Sequence, residues 1–356
     1  MYMYVIHLSY HMKVVILGGG FCGVFIAKKL EKHNDSQVIL IDSKSYFEYQ
    51  PSLHKILKNP KYISKLRVEY HSFLPKTQII VEKIKRVTSK SVELSDKKIT
   101  YDILVIGTGI DYPISLENKK DVHILKNGEE ALKIAKKIKS AAQVLIVGGG
   151  LIGTEVAGEI VTKFPHINLT LVHAHERLLN RLPLDASEYT LQFLSKNNTE
   201  IIFGEKVVLH EEGCFYTNKD RKIHADLCVW CAGNKNNPSF MQHFPITCFT
   251  KKNALAVTDY LRLYGYENIF VGGDITKINE EKTARKAELH AKLIVKNIKR
   301  ISKNQPLIPY TSKTSPMVIS LGDLTGVIYY KKVIPGLFIP GILKWMIQWW
   351  ILRQLK

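Results

Sequence analysis

The sequence predicts an α/β protein of two doubly wound domains, one inserted into the other. Three observations predict it. Two glycine-rich loops of the pattern G-x-G-x-x-G, at Gly18, Gly20 and Gly23 and again at Gly148, Gly150 and Gly153, lie 130 residues apart. Each follows a run of β-branched and aliphatic residues, Val14-Val15-Ile16-Leu17 or Val144-Leu145-Ile146-Val147, and precedes an apolar helical pattern. Strand-like and helix-like segments then alternate through both halves, as parallel sheets with crossover helices require.

The chemistry of each loop follows from its glycines. The first permits the tight turn out of the strand, the second lets backbone approach a pyrophosphate, and the third lets the helix pack close to the strand. The helix that follows offers free N–H groups and the positive end of its dipole to a diphosphate. Two such loops in one chain imply two dinucleotides, and two dinucleotides held face to face imply an electron relay.

The strand after each loop separates the two ligands. After the first loop, Val38-Ile39-Leu40-Ile41 ends in Asp42, 19 residues past Gly23, where a carboxylate can accept from the hydroxyls of an adenosine ribose. After the second, Leu169-Thr170-Leu171-Val172 ends in His173, with His175 and Arg177 close behind. A carboxylate repels a 2′-phosphate, whereas imidazole and guanidinium tolerate one, so the second site is expected to accept NADPH as well as NADH.

The remaining elements follow in order. Residues 77–81 and 91–94 alternate like the strands of a hairpin-like region. Ile103-Leu104-Val105-Ile106 is a strand ending in the turn Gly107-Thr108-Gly109. A second βαβ unit spans about 121–235 and ends in a comparable strand and turn up to Gly233. Ile269-Phe270-Val271 with Gly272-Gly273-Asp274 forms another, followed by a long helix over about 282–299. Residues 333–352 are the most apolar stretch, with three of the four tryptophans. Its prolines, glycines and Lys344 argue against a spanning helix. A short helix over 341–355 lying in a membrane interface fits better, with Arg353 and Lys356 reaching phosphates.

The chain has 356 residues, is 46% hydrophobic, and carries 51 Lys and Arg against 32 Asp and Glu, a formal net charge of +19. That is enough core for two or three domains. Lysines are spread through the chain and no nucleic-acid motif is present, so the excess reads as solvated faces that help attract an anionic membrane. The five cysteines make no secreted disulfide framework. Cys228 and Cys231 fall in a buried-strand run, and core cysteines are expected rather than a redox pair or metal site. Residues 1–11 lack a basic start and a clear cleavage site, so they read as an extension rather than a signal peptide.

Taken together, these motifs resemble the pyridine nucleotide-disulfide oxidoreductase superfamily, flavoproteins with two Rossmann-like domains. The resemblance covers about 12–299. It implies that Gly18, Gly20, Gly23 and Asp42 bind FAD, that Thr108 and Gly109 line the flavin, and that Asp274 bonds its ribityl chain. It implies that Gly148, Gly150, Gly153 and His173 hold NADH or NADPH. It further implies that Glu155, placed in the first turn of its helix, faces the nicotinamide, orients the carboxamide and assists proton delivery. The segment from Asp42 through Tyr46, Phe47, Tyr49, Gln50 and Pro51 to Leu53 is similar to that of type II NADH:quinone oxidoreductases. Thr170-Leu171-Val172-His173 and Leu289-His290-Ala291 resemble the apoptosis-inducing-factor-like ferroptosis suppressor branch. Arg285 and Leu289 stand where the type II enzymes carry glutamines, a departure that bears on the quinone pocket. No cysteine occurs over 42–72, which excludes the redox CxxxxC of the disulfide reductases.

The expected layout is FAD-binding over 12–115, NAD(P)H-binding over 116–240, FAD-binding again over 241–305, and a hairpin with a membrane-attachment segment over 306–356. The expected function is an FAD-dependent NAD(P)H:quinone oxidoreductase, peripheral on the cytoplasmic face of a membrane, or on a mitochondrial membrane in a eukaryote. The alternatives are a soluble reductase donating to a ferredoxin- or rubredoxin-like protein and a nucleotide-controlled redox-signalling module. A second copy of the chain is the alternative occupant of the apolar C-terminal face.

Overall fold

The computed structural model describes residues 12–32, 36–336 and 338–356, so the expected extension over 1–11 lies outside the described residues. In chain order the main elements are β1 (Met12–Leu17), α1 (Phe21–Leu30), β2 (Ser36–Asp42), β3 (Gln78–Val81), β4 (Ile103–Ile106), β5 (Val122–Ile124) and β6 (Gln143–Val147). Next come α2 (Leu151–Lys163), β7 (Asn168–His173), β8 (Thr199–Phe203), β9 (Leu227–Trp230), β10 (Ile269–Val271) and α3 (Ala284–Ile301). The C-terminal part holds β11 (Met317–Leu321), β12 (Thr325–Tyr330), β13 (Lys332–Gly336) and α4 (Ile339–Gln354). The fold is mixed α/β with parallel sheets.

The chain divides into two compact units. The first comprises residues up to 47, 68–111 and 235–313; the second comprises 48–67, 112–234 and 314–356. The segment 306–356 therefore divides after Lys313 between the two.

The sheet of the first unit runs β10-β4-β1-β2-β3, all parallel. Its central strands are apolar on both faces, as a parallel sheet covered on both sides requires. Val15, Leu17, Leu104 and Ile106 pack with Ile269, Val271, Leu255 and Met241 in one core cluster. Helices α1 and α3 pack against each other. Residues 78–81, read as part of a hairpin, are instead the parallel edge strand β3. Alternation alone does not distinguish the two placements. The partner segment Ser91–Glu93 joins a small antiparallel sheet with Arg86–Val87 and Lys98–Thr100.

The sheet of the second unit runs β5-β9-β6-β7-β8, again parallel, over a core that includes Leu145, Val147, Val172, Phe215, Cys228 and Trp230. Strands β11 to β13 form an antiparallel sheet. Helix α2 packs on β11, and α4 packs on β11 and β12. All five cysteines are free. Among the described residues no helix is long and apolar enough to cross a membrane.

Candidate functional site

In the first unit the carboxyl ends of three strands line up. Gly107 donates its N–H to Leu17 O at 2.8 Å, and Gly272 donates to Ile106 O at 2.9 Å. The loop after β1, the turn after β4 and the turn after β10 thus share one end of the sheet. That end is the crevice where open α/β sheets bind ligands.

The three loop glycines have distinct reasons to be glycine. Gly18 has φ +94°, and a Cβ there would sit 2.6 Å from Gly107 O. A Cβ on Gly23 would collide with Gly18 O, so strand and helix could not approach. A Cβ on Gly20 would meet nothing within 4 Å. Gly20 faces open space, so no protein atom there excludes a side chain. Helix α1 starts at that glycine with no side-chain cap and no acid in its first turn. By contrast, the helix Gly128–Lys137 has Asn127 as cap and Glu129 and Glu130 in its first turn, and α3 is capped by Thr283. A helix start left uncapped, with an open cradle before it, fits a diphosphate.

Asp42 binds the loop directly: Gly19 donates to its Oδ2 at 2.5 Å and Lys44 to its Oδ1 at 2.9 Å. Tyr70 donates its hydroxyl to Gly19 O at 3.0 Å. Thr108 Oγ1 is buried without a hydrogen-bond partner among the described residues, and Gly109, at φ +74°, borders open space. An orphaned buried hydroxyl beside an open cradle is what a bound polar group would satisfy.

The turn carrying Asp274 is held from behind. Gly273 donates to His290 Nδ1 at 3.0 Å, which puts the ring proton on Nε2, and Nε2–H donates to Glu280 Oε1 at 2.8 Å. Lys286 Nζ lies 2.7 Å from Glu280 Oε2, and Tyr310 donates to the same oxygen at 2.9 Å. Burial would raise the Glu280 carboxyl, but hydrogen bonds from His290, Lys286 and Ser312 hold it well below the usual range. Burial raises Asp274, against the pull of Lys282 and His290. Cys22, inside the phosphate loop, is pushed up to about 12 by burial and the Asp274 charge, so it is an inert thiol. His290 and Glu280 had no assigned role in the sequence, because only folding brings them behind Gly273.

The second unit repeats the loop. Gly148 has φ +110° and no room beside Cys231; a Cβ on Gly153 would collide with Gly148 O; a Cβ on Gly150 would meet nothing. Helix α2 also starts uncapped. At the strand end His173 stands where Asp42 stands in the first unit, with Gly149 donating to its Nδ1 at 3.0 Å. Burial and the neighbouring His175 lower His173 to about 4, with the Arg177 backbone working the other way, so the ring is neutral at pH 7.

Glu155 is the fifth residue of α2, just past the first turn in which the sequence placed it, because the helix begins at Leu151. Its Oε1 accepts from Ser320 N at 3.0 Å and from the Lys344 ammonium, while His54 Nδ1 lies 3.6 Å from Oε2. One turn on, the fully buried Glu159 faces Lys58 Nζ at 2.8 Å and His54 Nε2 at 3.8 Å. Burial and the charges of Lys344, Lys55 and Lys58 drive His54 well below its usual value, so it is neutral. The i, i+4 spacing of Glu155 and Glu159 was the only sequence signal for this cluster; its cations come from distant segments.

The first unit thus gathers Gly18, Gly20, Gly23, Asp42, Thr108, Gly109 and Asp274. The second gathers Gly148, Gly150, Gly153, His173 and Glu155.

Comparison with known proteins agrees with this plan. The pyridine nucleotide-disulphide oxidoreductase family matches residues 12–291. Apoptosis-inducing factor homolog B of Dictyostelium discoideum is 28% identical over 88% of each chain. Ferroptosis suppressor protein 1 of Xenopus laevis is 25% identical over 89% of this chain and 88% of its own. The solved structure of NDH2 from Plasmodium falciparum in complex with NADH shares the fold, with a TM-score of 0.86 at 17% identity over 94% of each chain.

Proposed function

Since the chain belongs to the pyridine nucleotide-disulphide oxidoreductase family and is an FAD-dependent NAD(P)H oxidoreductase, we propose that it delivers its electrons to a quinone at a membrane surface. The balance is NAD(P)H, a proton and a quinone in, and NAD(P)⁺ and hydroquinone out. When bound, FAD supplies the hydride acceptor and the two-electron donor. The rest is the work of this chain. The open face of Gly20 and the uncapped start of α1 bind the flavin diphosphate, and Asp42 accepts from the adenosine ribose. Thr108 donates its unpaired hydroxyl, and Asp274, braced through Gly273 by His290, accepts from ribityl hydroxyls. Gly150 and the start of α2 bind the nicotinamide diphosphate. Glu155 offers Oε2 to the carboxamide, its other oxygen being held by Lys344 and Ser320.

One observation carries the membrane reading. Along α4, Ile339, Ile342, Trp345, Met346, Trp349 and Trp350 are all exposed, whereas Lys344, Gln348, Ile351 and Leu352 are buried. An exposed apolar face of this extent marks an interaction site. Tryptophans beside Arg353, which lies over the Trp349 ring at 4.9 Å, suit a headgroup boundary. The helix has 16 residues, about 24 Å long, less than the ~30 Å of a hydrocarbon core. It lies on the surface rather than through it. The resemblance of the segment after Asp42 to the type II quinone reductases supports a lipid-soluble oxidant.

The test is anaerobic. NADH or NADPH should bleach the yellow protein, a quinone should restore the colour, and the protein should float with anionic phospholipid vesicles. Restoration by two equivalents of an oxidised ferredoxin but by no quinone would overturn the reading in favour of a soluble reductase.

A further inference from the structure

We propose that the β12–β13 hairpin is a second lipid contact beside α4, and that its lysines select an anionic phospholipid surface. The proposal rests on the reading of α4 as a membrane-facing helix and names the lipid that this side of the unit takes.

Strand register decides which side of the hairpin is free. In the sheet β11 to β13, Ser320 pairs with Gly326 and Gly326 with Gly336, Ile328 pairs with Ile334, and Tyr330 pairs with Lys332. Paired residues share a face, and so do residues two apart on one strand. This is the face on which α4 lies. A Cβ on Gly326 would come 3.0 Å from Pro340 Cβ, and Lys344 donates to Ser320 Oγ at 3.1 Å. The opposite face is filled: Ile319 and Val327 cluster there with Leu179, Leu182 and Ala186, and Tyr329 and Val333 pack against them.

The helix leaves part of its own face of the sheet uncovered. Tyr330 and Ile334 remain 50% and 54% exposed. They extend onto the sheet the apolar surface that α4 carries in Ile339, Ile342, Trp345 and Trp349. Strand β13 is the edge of its sheet, a place where exposed apolar side chains invite association.

Charge identifies the occupant. Residues 324–356 contain no Asp or Glu and five Lys or Arg. Lys344 is buried, whereas Lys331, Lys332, Arg353 and Lys356 are exposed. The nearest acid in the chain, Asp323, is paired with Lys58. Lys331 forms the turn between the strands, with its Nζ 5.8 Å from the centre of the Tyr330 ring. Apolar stems and a phenol ring under cationic tips suit a headgroup boundary. A second copy docked through the same patch would set these cations against their own kind. Protein interfaces in general are also poor in lysine. A layer of anionic headgroups over acyl chains satisfies the apolar side chains and the cations together.

Flotation of the FAD-loaded full chain tests this with two kinds of vesicle, phosphatidylcholine alone and phosphatidylcholine mixed with phosphatidylglycerol. The wild type should bind the mixed vesicles more tightly, and the preference should shrink as salt is raised. K331Q/K332Q should lose about fivefold for each lysine on mixed vesicles at low salt and change little on phosphatidylcholine. Y330S/I334S should lose about tenfold on both. All four side chains are exposed, so thermal unfolding of both variants should match the wild type and separates lost contact from lost fold. Wild-type binding by both variants overturns the hairpin contact and leaves α4 as the anchor. Equal losses of K331Q/K332Q on the two vesicles overturn the lipid selection. Wild-type protein that floats with neither vesicle overturns the membrane reading along with the hairpin. If that protein also sediments as a dimer that I334S dissociates, the face belongs to a second copy of the chain.

Discussion

Lys344 on α4 forms an ion pair with Glu155 on α2, joining residues 189 positions apart in the chain. Both side chains are largely buried, and Ser320 hydrogen-bonds the same carboxylate. The helix that displays the tryptophans is therefore bonded, within one compact unit, to the helix that begins at the second phosphate loop.

Removing one member of that pair strands the other in a buried setting. K344M is expected to lower stability by about 3–5 kcal/mol, whereas the double change K344M/E155L should recover most of the loss. Urea denaturation of the wild type, the single variant and the double variant reads this out. An unfolding midpoint for K344M equal to that of the wild type would show that the pair contributes nothing.

Gly20 and Gly23 should fail in different ways. A side chain on Gly20 meets no protein atom, so G20A should leave the flavin-free protein folded, its stability changed by less than about 1 kcal/mol, yet release FAD. A side chain on Gly23 collides with Gly18 O, so G23A should destabilise the flavin-free protein itself. Thermal unfolding of the flavin-free proteins and flavin retention on gel filtration separate the two effects. Retention of FAD by G20A would mean that the open face is not the diphosphate cradle.

His173 contributes a stability term with a definite sign. Its pKa falls from 6.5 in the free side chain to about 4 in the fold, so the unfolded chain binds more protons between those values. The term is fully present above pH 6.5 and is lost as the pH falls toward 4. The difference in urea midpoint between the wild type and H173N should therefore change across that window and be flat above it. A difference that does not vary with pH would remove the titration from the account.

The tryptophan face makes a separable prediction. W345S/W349S/W350S alters exposed side chains, so unfolding of the protein should shift little. Partitioning onto anionic vesicles should fall about tenfold or more, from the apolar area removed. Unchanged flotation would assign the face to a second copy of the chain, which sedimentation would then reveal.

Much of the fold was legible because a parallel sheet buries both faces and writes an unbroken apolar run, as in Val14-Val15-Ile16-Leu17. The loops were legible because backbone crowding at Gly18, Gly23, Gly148 and Gly153 tolerates no other residue. The contrast between Asp42 and His173 was legible because strand register fixes which residue stands at the loop. Other features were not. Residues 78–81 alternate equally well as hairpin or sheet edge. The start of α2 at Leu151 puts Glu155 just past the first turn. The grouping of His54, Lys58, Ser320 and Lys344 around Glu155 and Glu159 depends on three remote segments, which no local pattern encodes.

The interleaving of the two units bears on biosynthesis. Strand β10, which completes the first sheet beside β4, is made only after the whole stretch 112–234 of the other unit has left the ribosome. The second unit in turn awaits 314–356, which supplies β11 and α4. Neither body can close early, so both leave apolar surface uncovered during translation, when aggregation competes with folding.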